Sequence, residues 1–185
     1  SVDTERFKSL LDEQKKRSRD ARKIAGEDAW ISDSTDLTDI DPTVFTGYKV
    51  TMNEAKVVAI VKDGERVLAL SEGENGVVIL NKTPFYAESG GQVGDTGIIN
   101  NDDMVATVKN TTKDASGIFL HSVTVEKGVV TVDDVVQAKI DAKRRMNITR
   151  NHTAAHLLQA ALREVLGTHV EQAGQLVSDD YFRFD

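Results

Sequence analysis

Apolar positions along this chain change their spacing twice, and each change marks a different kind of element. Over residues 3–25, Phe7, Leu10 and Leu11 fall with Gln14 at helical intervals, Asp3 or Thr4 can cap the start, and Gly26 can end the run. The second half of that helix is almost wholly polar, which predicts a helix projecting from the body or packed on a removed domain. Residues 27–46 are rich in Asp, Ser and Thr, contain Pro42, and read as an irregular connector. From Tyr48 onward the pattern shortens to β-type runs at 57–61, 66–70, 77–80, 97–99, 104–108, 118–125 and 129–132. Lys62-Asp63-Gly64-Glu65, between the first two runs, is a hairpin signal. Short strands with little helix predict a small barrel or strongly curved sheet.

Beyond residue 134, Val136, Ala138 and Ile140 alternate with Gln137, Lys139 and Asp141, the period-2 signature of another strand. A helix is predicted over 147–166, with Ala155, Leu158, Leu162 and Val165 as its apolar stripe and Gly167 as its stop. Residues 169–177 and 181–185 read as strands of a second sheet. The expected architecture is α+β, in three segments: 1–46 as helix and connector, 47–134 as a β-barrel, and 135–185 as the opening of an α+β domain.

Composition narrows the function classes. The chain has 185 residues, 39% hydrophobic and 29% charged, which suits one large domain or two small ones. No apolar run approaches the ~20 residues of a membrane span. The polar N-terminus is not a signal peptide, and Ser1 in place of an initiator Met is expected of an excised segment. Absence of cysteine excludes disulfides and any thiolate metal site built from this chain, and suits the cytosol. A net charge of -7 excludes a strongly basic nucleic-acid coat. Basic residues nonetheless cluster at Lys15, Lys16, Arg17, Arg19, Arg22 and Lys23, and again at Lys143, Arg144, Arg145 and Arg150. The first cluster reads as a solvated helix face. The second adjoins a candidate reactive site, where Arg144, Arg145 and Arg150 are candidate phosphate contacts.

That candidate site is Asn151-His152-Thr153-Ala154-Ala155-His156. Residues at i and i+4 share a helix face, so His152 and His156 can bind one Zn²⁺. Thr153 stands where a metalloprotease needs Glu, so that reading fails. Two ligands are also too few for a structural or catalytic zinc site. His121 and His169 are the other histidines, and no spacing ties His169 to the pair. A second candidate is the stretch Phe85-Tyr86-Ala87-Glu88-Ser89-Gly90-Gly91-Gln92-Val93-Gly94-Asp95-Thr96-Gly97. Its glycines allow positive φ and close backbone approach to a ligand, its amides can hold an ester or phosphate oxygen, and Gln92 can donate and accept. The alternative reading is a plain turn between barrel strands. Gly-Gly-Gln also occurs in peptide-chain release factors, but with basic flanks; here the flanks are Glu88 and Asp95.

The two segments occur in this order, and together they are more specific than either alone. Leu80 through Gln92, with Asp95 and Gly97, resembles the signature that opens the editing region of alanyl-tRNA synthetases. Arg150-Asn151-His152-Thr153-Ala154-Ala155-His156-Leu157-Leu158 resembles that family's first metal motif. Leu166-Gly167-Thr168-His169-Val170, Gln172, Gly174, Leu176-Val177 and Arg183-Phe184-Asp185 match the same pattern. The resemblance covers roughly residues 48–185, and the helix over 3–25 fits the end of the tRNA-recognition region. It implies a translation-factor-like barrel followed by the first part of an editing domain. It also implies an enzyme that attaches alanine to tRNA(Ala) with ATP and Mg²⁺ in a domain absent here, and that hydrolyses seryl- or glycyl-tRNA charged in error. By position, His152 and His156 are the first two zinc ligands, and the later CxxxH that completes the set lies outside this sequence. Gln172 matches an editing-pocket residue, with Gly90, Gly91 and Gln92 lining the same region. Gln172 or Thr153 is then a candidate for contacting the serine hydroxyl. The implied partner is the aminoacylated 3′ end of tRNA(Ala), in the cytoplasm. A freestanding aminoacyl-tRNA deacylase and a non-catalytic tRNA-binding module remain the alternatives. Weak or no zinc binding is expected of the segment alone.

Overall fold

The computed structural model describes residues 35–185, together with Arg6. The helix expected over 3–25 and the first part of the connector therefore lie outside the described residues. The connector's remainder contributes two buried anchors, Leu37 and Thr43, and a two-residue strand, β1 (Val44–Phe45). Its residues pair in parallel with β6 (Lys82–Thr83).

The expected barrel is present, and it closes. Its strands are β2 (Met52–Lys62), β5 (Asn75–Leu80), β7 (Gly97–Asn100), β8 (Val105–Lys113), β9 (Phe119–Lys127) and β11 (Val135–Ile140). Each pairs antiparallel with the next around the ring β2-β5-β9-β8-β7-β11, and β11 returns to β2. Register shifts between Val57 and Ala59 and between Val108 and Asn110 supply the bends that closure needs. The interior is aliphatic: Val57, Ile60, Val78, Ile99 and Val125 are all fully buried.

The strand anticipated at the head of the second segment is the one that closes the barrel. Val136, Ala138 and Ile140 point into the core, while Gln137 and Lys139 face solvent, so the alternation was read correctly. Its partners are 80 residues upstream in β2 and 40 upstream in β7, roughly, which no local pattern reveals. The hairpin signal holds too. β2 ends at Lys62 and β3 (Glu65–Val67) begins at Glu65, with Asp63 at φ 51° and Gly64 at φ 84° between them. Both positive angles are those of a type I′ turn, for which Asp-Gly is suited. The single strand expected over 66–70 is two. Leu68 is exposed, and after it β4 (Ala69–Ser71) leaves β2 to pair with β10 (Val129–Thr131).

The helix α1 (Ala142–Leu166) starts five residues before the expected position 147. Asp141 caps it, its carboxylate accepting from the Arg144 amide at 2.9 Å. The basic run Lys143-Arg144-Arg145 concealed this first turn from a periodicity argument. Gly167 ends the helix as expected. The apolar stripe is only partly used. Ile148 and Ala155 are buried, whereas Leu158 and Val165 are exposed. A short antiparallel pair, β12 (Gln175–Val177) and β13 (Phe182–Phe184), packs against this helix. Residues 169–174, expected to be strand, are irregular.

His121 belongs to the core of the barrel. It is fully buried, its Nδ1 donates to the Val78 carbonyl at 2.9 Å, and its Nε2 accepts from the Thr83 hydroxyl at 2.8 Å. Burial pushes its pKa down from 6.5 to about 4, against the raising effect of the Val78 carbonyl. The unfolded chain therefore binds a proton below pH 6.5 that the folded chain refuses until about pH 4. Stability from this group is complete above pH 6.5 and is lost as pH falls to about 4, amounting to up to about 3 kcal/mol. Urea unfolding between pH 7 and pH 4 should show this slope, and His121→Gln should remove that share of it.

Candidate functional site

The Gly-rich loop is pinned at both ends before it reaches the helix. Asp95 donates its amide to the Tyr86 carbonyl at 2.9 Å, and its carboxylate accepts the Tyr86 amide at 2.8 Å. Residues 86–95 thus form a closed loop with its ends side by side. The Asp95 carboxylate is almost fully buried and meets Arg145 of α1. Arg145 Nε lies 2.9 and 3.0 Å from the two carboxylate oxygens, and Nη2 also contacts Oδ2. The same guanidinium donates to the Gly47 and Pro84 carbonyls, each at 3.2 Å. Arg144 donates to the Gly94 carbonyl at 2.8 Å and pairs with Asp179 at 3.1 Å. Both arginines were expected among phosphate contacts. Their donors are directed inward, and they bolt the helix to the loop. Arg150 and Lys143 are the exposed cations of that cluster.

The loop is fixed on its other side by β12. Val177 donates to the Gly91 carbonyl at 2.7 Å, Val93 donates to the Val177 carbonyl at 3.0 Å, and Gln175 Nε2 donates to the Gly90 carbonyl at 2.7 Å. Gly91 has φ 82°, and a Cβ there would lie 2.2 Å from the Gln175 carbonyl oxygen, so no other residue fits that crossing. Asn151 of α1 adds a 2.9 Å bond to the Ser178 carbonyl. Loop, helix and small sheet therefore meet as one assembly.

At the meeting point, His152 Nδ1 donates to Gln92 Oε1 at 2.7 Å. Gln92 is buried, so this acceptor is held in place. The bond fixes the tautomer and leaves the Nε2 lone pair of His152 available, the arrangement in which an imidazole binds a metal. The His156 ring stacks on that of His152, with centroids 5.0 Å apart and planes 18° apart. His156 is exposed and has no hydrogen bond among the described residues. The pair thus suits one half of a zinc site. Among the described residues no cluster of three or more His, Cys, Asp or Glu is placed to hold a metal.

Gly90 and Gly91 line an open cleft of about 380 Å³ with Gln172, Ala173, Gly174 and Gln175. Gln172 is exposed there, its amide reaching only the Gly174 carbonyl at 3.5 Å. The amide groups of Gly90 and Gly91 make no hydrogen bond among the described residues. Thr153 is exposed, and its hydroxyl donates back to the Thr149 carbonyl at 3.0 Å. His169 lies exposed in the turn after the helix. The structure therefore brings together Gln92 with His152 and His156, and Gly90 and Gly91 with Gln172. Asp95 is the residue that sequence reasoning missed: it was counted as an acidic flank and is the buried anchor of the loop.

Comparison with known sequences places this loop and helix in a protein of the aminoacyl-tRNA synthetase kind. The chain belongs to the family of class II (A) tRNA synthetases, whose family model matches residues 1–144. Along its whole length it is similar to alanine–tRNA ligases. It is 46% identical to that of Exiguobacterium sibiricum over 185 residues, 45% to that of a Chelativorans species over 191, and 45% to that of a Thermoanaerobacter species over 185. In each case all of the chain is matched, and it spans 21% of the length of the relative. No helix among the described residues is long and apolar enough to cross a membrane.

Proposed function

We propose that this chain is the segment of an alanine–tRNA ligase that carries the barrel and the first part of its proofreading site, acting in the cytoplasm on the aminoacylated 3′ end of tRNA(Ala). The reaction is hydrolysis of the ester that joins serine or glycine to that end in error. One observation carries the reading: the hydrogen bond from His152 to Gln92 joins the two motifs into a single site.

In this reading His152 and His156 hold Zn²⁺, together with ligands from the longer protein. When bound, the ion supplies Lewis-acid chemistry at a substrate oxygen or the substrate amine. The chain's own residues perform the rest. Gln92 orients His152 and keeps the proton on Nδ1. The unspent amides of Gly90 and Gly91 offer donors to the oxygen that gains charge as the ester carbonyl is attacked. Gln172, across the cleft, offers hydrogen bonds to a serine hydroxyl that alanine lacks, so the correct product is spared. Arg150, exposed on the helix, is the candidate to meet a phosphate. ATP and Mg²⁺ serve the aminoacylation domain, which this chain does not contain.

The test is Gln92→Leu in the complete protein. Loss of an outer partner of a metal-binding histidine costs about 10–100-fold, so deacylation of seryl-tRNA should fall by that factor. Attachment of alanine should be unchanged. Full deacylation by this variant would overturn the reading.

A further inference from the structure

The loop of residues 86–95 also walls a second cavity, whose lining does not include Gln172. Ser89 lines this cavity and Gly90, the next residue, lines the cleft already described. Adjacent Cα atoms are about 3.8 Å apart, so one loop strand separates the two spaces. The second cavity holds about 420 Å³, within the range of sites for nucleotide-sized molecules. Four of its ten lining residues are aromatic: Phe45, Tyr48, Tyr86 and Phe119. Phe45 stacks on Phe119 with centroids 5.6 Å apart, and it takes the Tyr48 ring edge-on at 4.9 Å and that of Tyr86 at 6.2 Å. Phe119 is buried, whereas Tyr48 is 86% exposed despite its size. Lys113 lines the cavity too and is exposed, its ammonium 5.6 Å from the Phe119 ring centre. The neighbouring Asp114 carboxylate accepts from the Ser116 and Ile118 amides at 2.9 Å each.

We propose that this aromatic cavity receives an unpaired base of the tRNA 3′ end, next to the terminal nucleotide held in the Gly90–Gly91 cleft. Tyr48 and Tyr86 present ring faces and edges to the base, and Lys113 meets the adjoining phosphate. The inference rests on the proofreading reading, since it needs a single RNA strand passing over the loop. Two features favour a nucleotide over an apolar protein segment: a cation, Lys113, stands beside the aromatic wall, and the cavity adjoins, across one loop strand, the cleft proposed for the terminal nucleotide. Stacking on an aromatic ring accepts any base, which suits a platform that positions an end rather than reads a sequence.

The test is binding of a fluorescent, short unpaired RNA with the tRNA 3′-terminal sequence to the complete protein, followed by anisotropy. Tyr48→Ala should weaken binding about 10-fold, the order expected for one stacked base. Tyr48→Phe should retain binding, and Lys113→Ala should flatten the dependence of log Kd on log salt by about one phosphate contact. Because Tyr48 is exposed and forms no hydrogen bond among the described residues, these variants keep the fold. In deacylation, Tyr48→Ala should raise KM with little change in kcat. Equal RNA affinity for Tyr48→Ala and the unaltered protein would overturn the proposal, as would self-association that depends on Tyr48. Failure of the hydrolytic reading shows separately, as full deacylation by Gln92→Leu.

Discussion

His152→Ala in the complete protein is expected to lower hydrolysis of seryl-tRNA by more than about 100-fold, beyond the range for loss of an outer partner. The substitution removes the imidazole that Gln92 orients and takes away one of the two helix-face imidazoles proposed to hold the metal. It also strands the Gln92 carbonyl oxygen in a buried position, at a cost of roughly 1–3 kcal/mol. A loss of activity could then be blamed on the fold. His156→Ala separates the two causes. His156 is exposed and has no hydrogen bond among the described residues, so its removal should leave thermal stability almost unchanged. It should still abolish hydrolysis to a similar extent and lower the zinc content found by metal analysis. Alanine attachment should survive in both variants. Seryl-tRNA hydrolysis at the ordinary rate in His156→Ala would remove the histidine pair from the mechanism.

Asp95→Ala should destabilise the protein by about 3–5 kcal/mol, the cost of leaving one member of a buried ion pair alone. For a chain of this size that lowers Tm by roughly 6–20 °C. The loss has an identifiable origin. Arg145 would keep its charge, with its Nε no longer facing a carboxylate, and the Tyr86 amide would lose its acceptor. Arg145→Met should be costly for the converse reason, since Asp95 stays buried and charged. The double variant should be less destabilised than the sum of the two, because no unpaired charge remains. It should still fall short of the unaltered protein, as the Gly47 and Pro84 carbonyls lose their donor. Thermal unfolding of the three variants measures this, and strict additivity would mean that Arg145 and Asp95 act independently.

Sequence reasoning succeeded where the signal is local. Asp63-Gly64 gave the hairpin, Val136, Ala138 and Ile140 gave a strand with the right face inward, and Gly167 gave a helix end. It fell short where the partner is remote. Arg144 and Arg145 read as a helix-face cluster because the carboxylate that Arg145 meets, Asp95, lies 50 residues away. Leu158 and Val165 satisfy helical spacing, yet periodicity specifies a face and not what covers it. The bond between His152 and Gln92 spans 60 residues and has no spacing signature of its own. Only the resemblance placed those two motifs in one region, and the structure supplies the contact between them.

Closure of the barrel by β11 has a consequence for the order in which the protein takes shape during synthesis. The strand that seals β2 to β7 is made last of the six, and α1 follows it after a single residue, Asp141. A ribosome must therefore deliver residue 140 before the ring can shut, and its next products include Arg144, Arg145 and His152, which seat on the finished loop. Until then β2 and β7 each present an unpaired edge, the period when the growing chain is open to mispairing. The helix that carries the histidine pair is thus born beside a scaffold that its own leading strand has just completed.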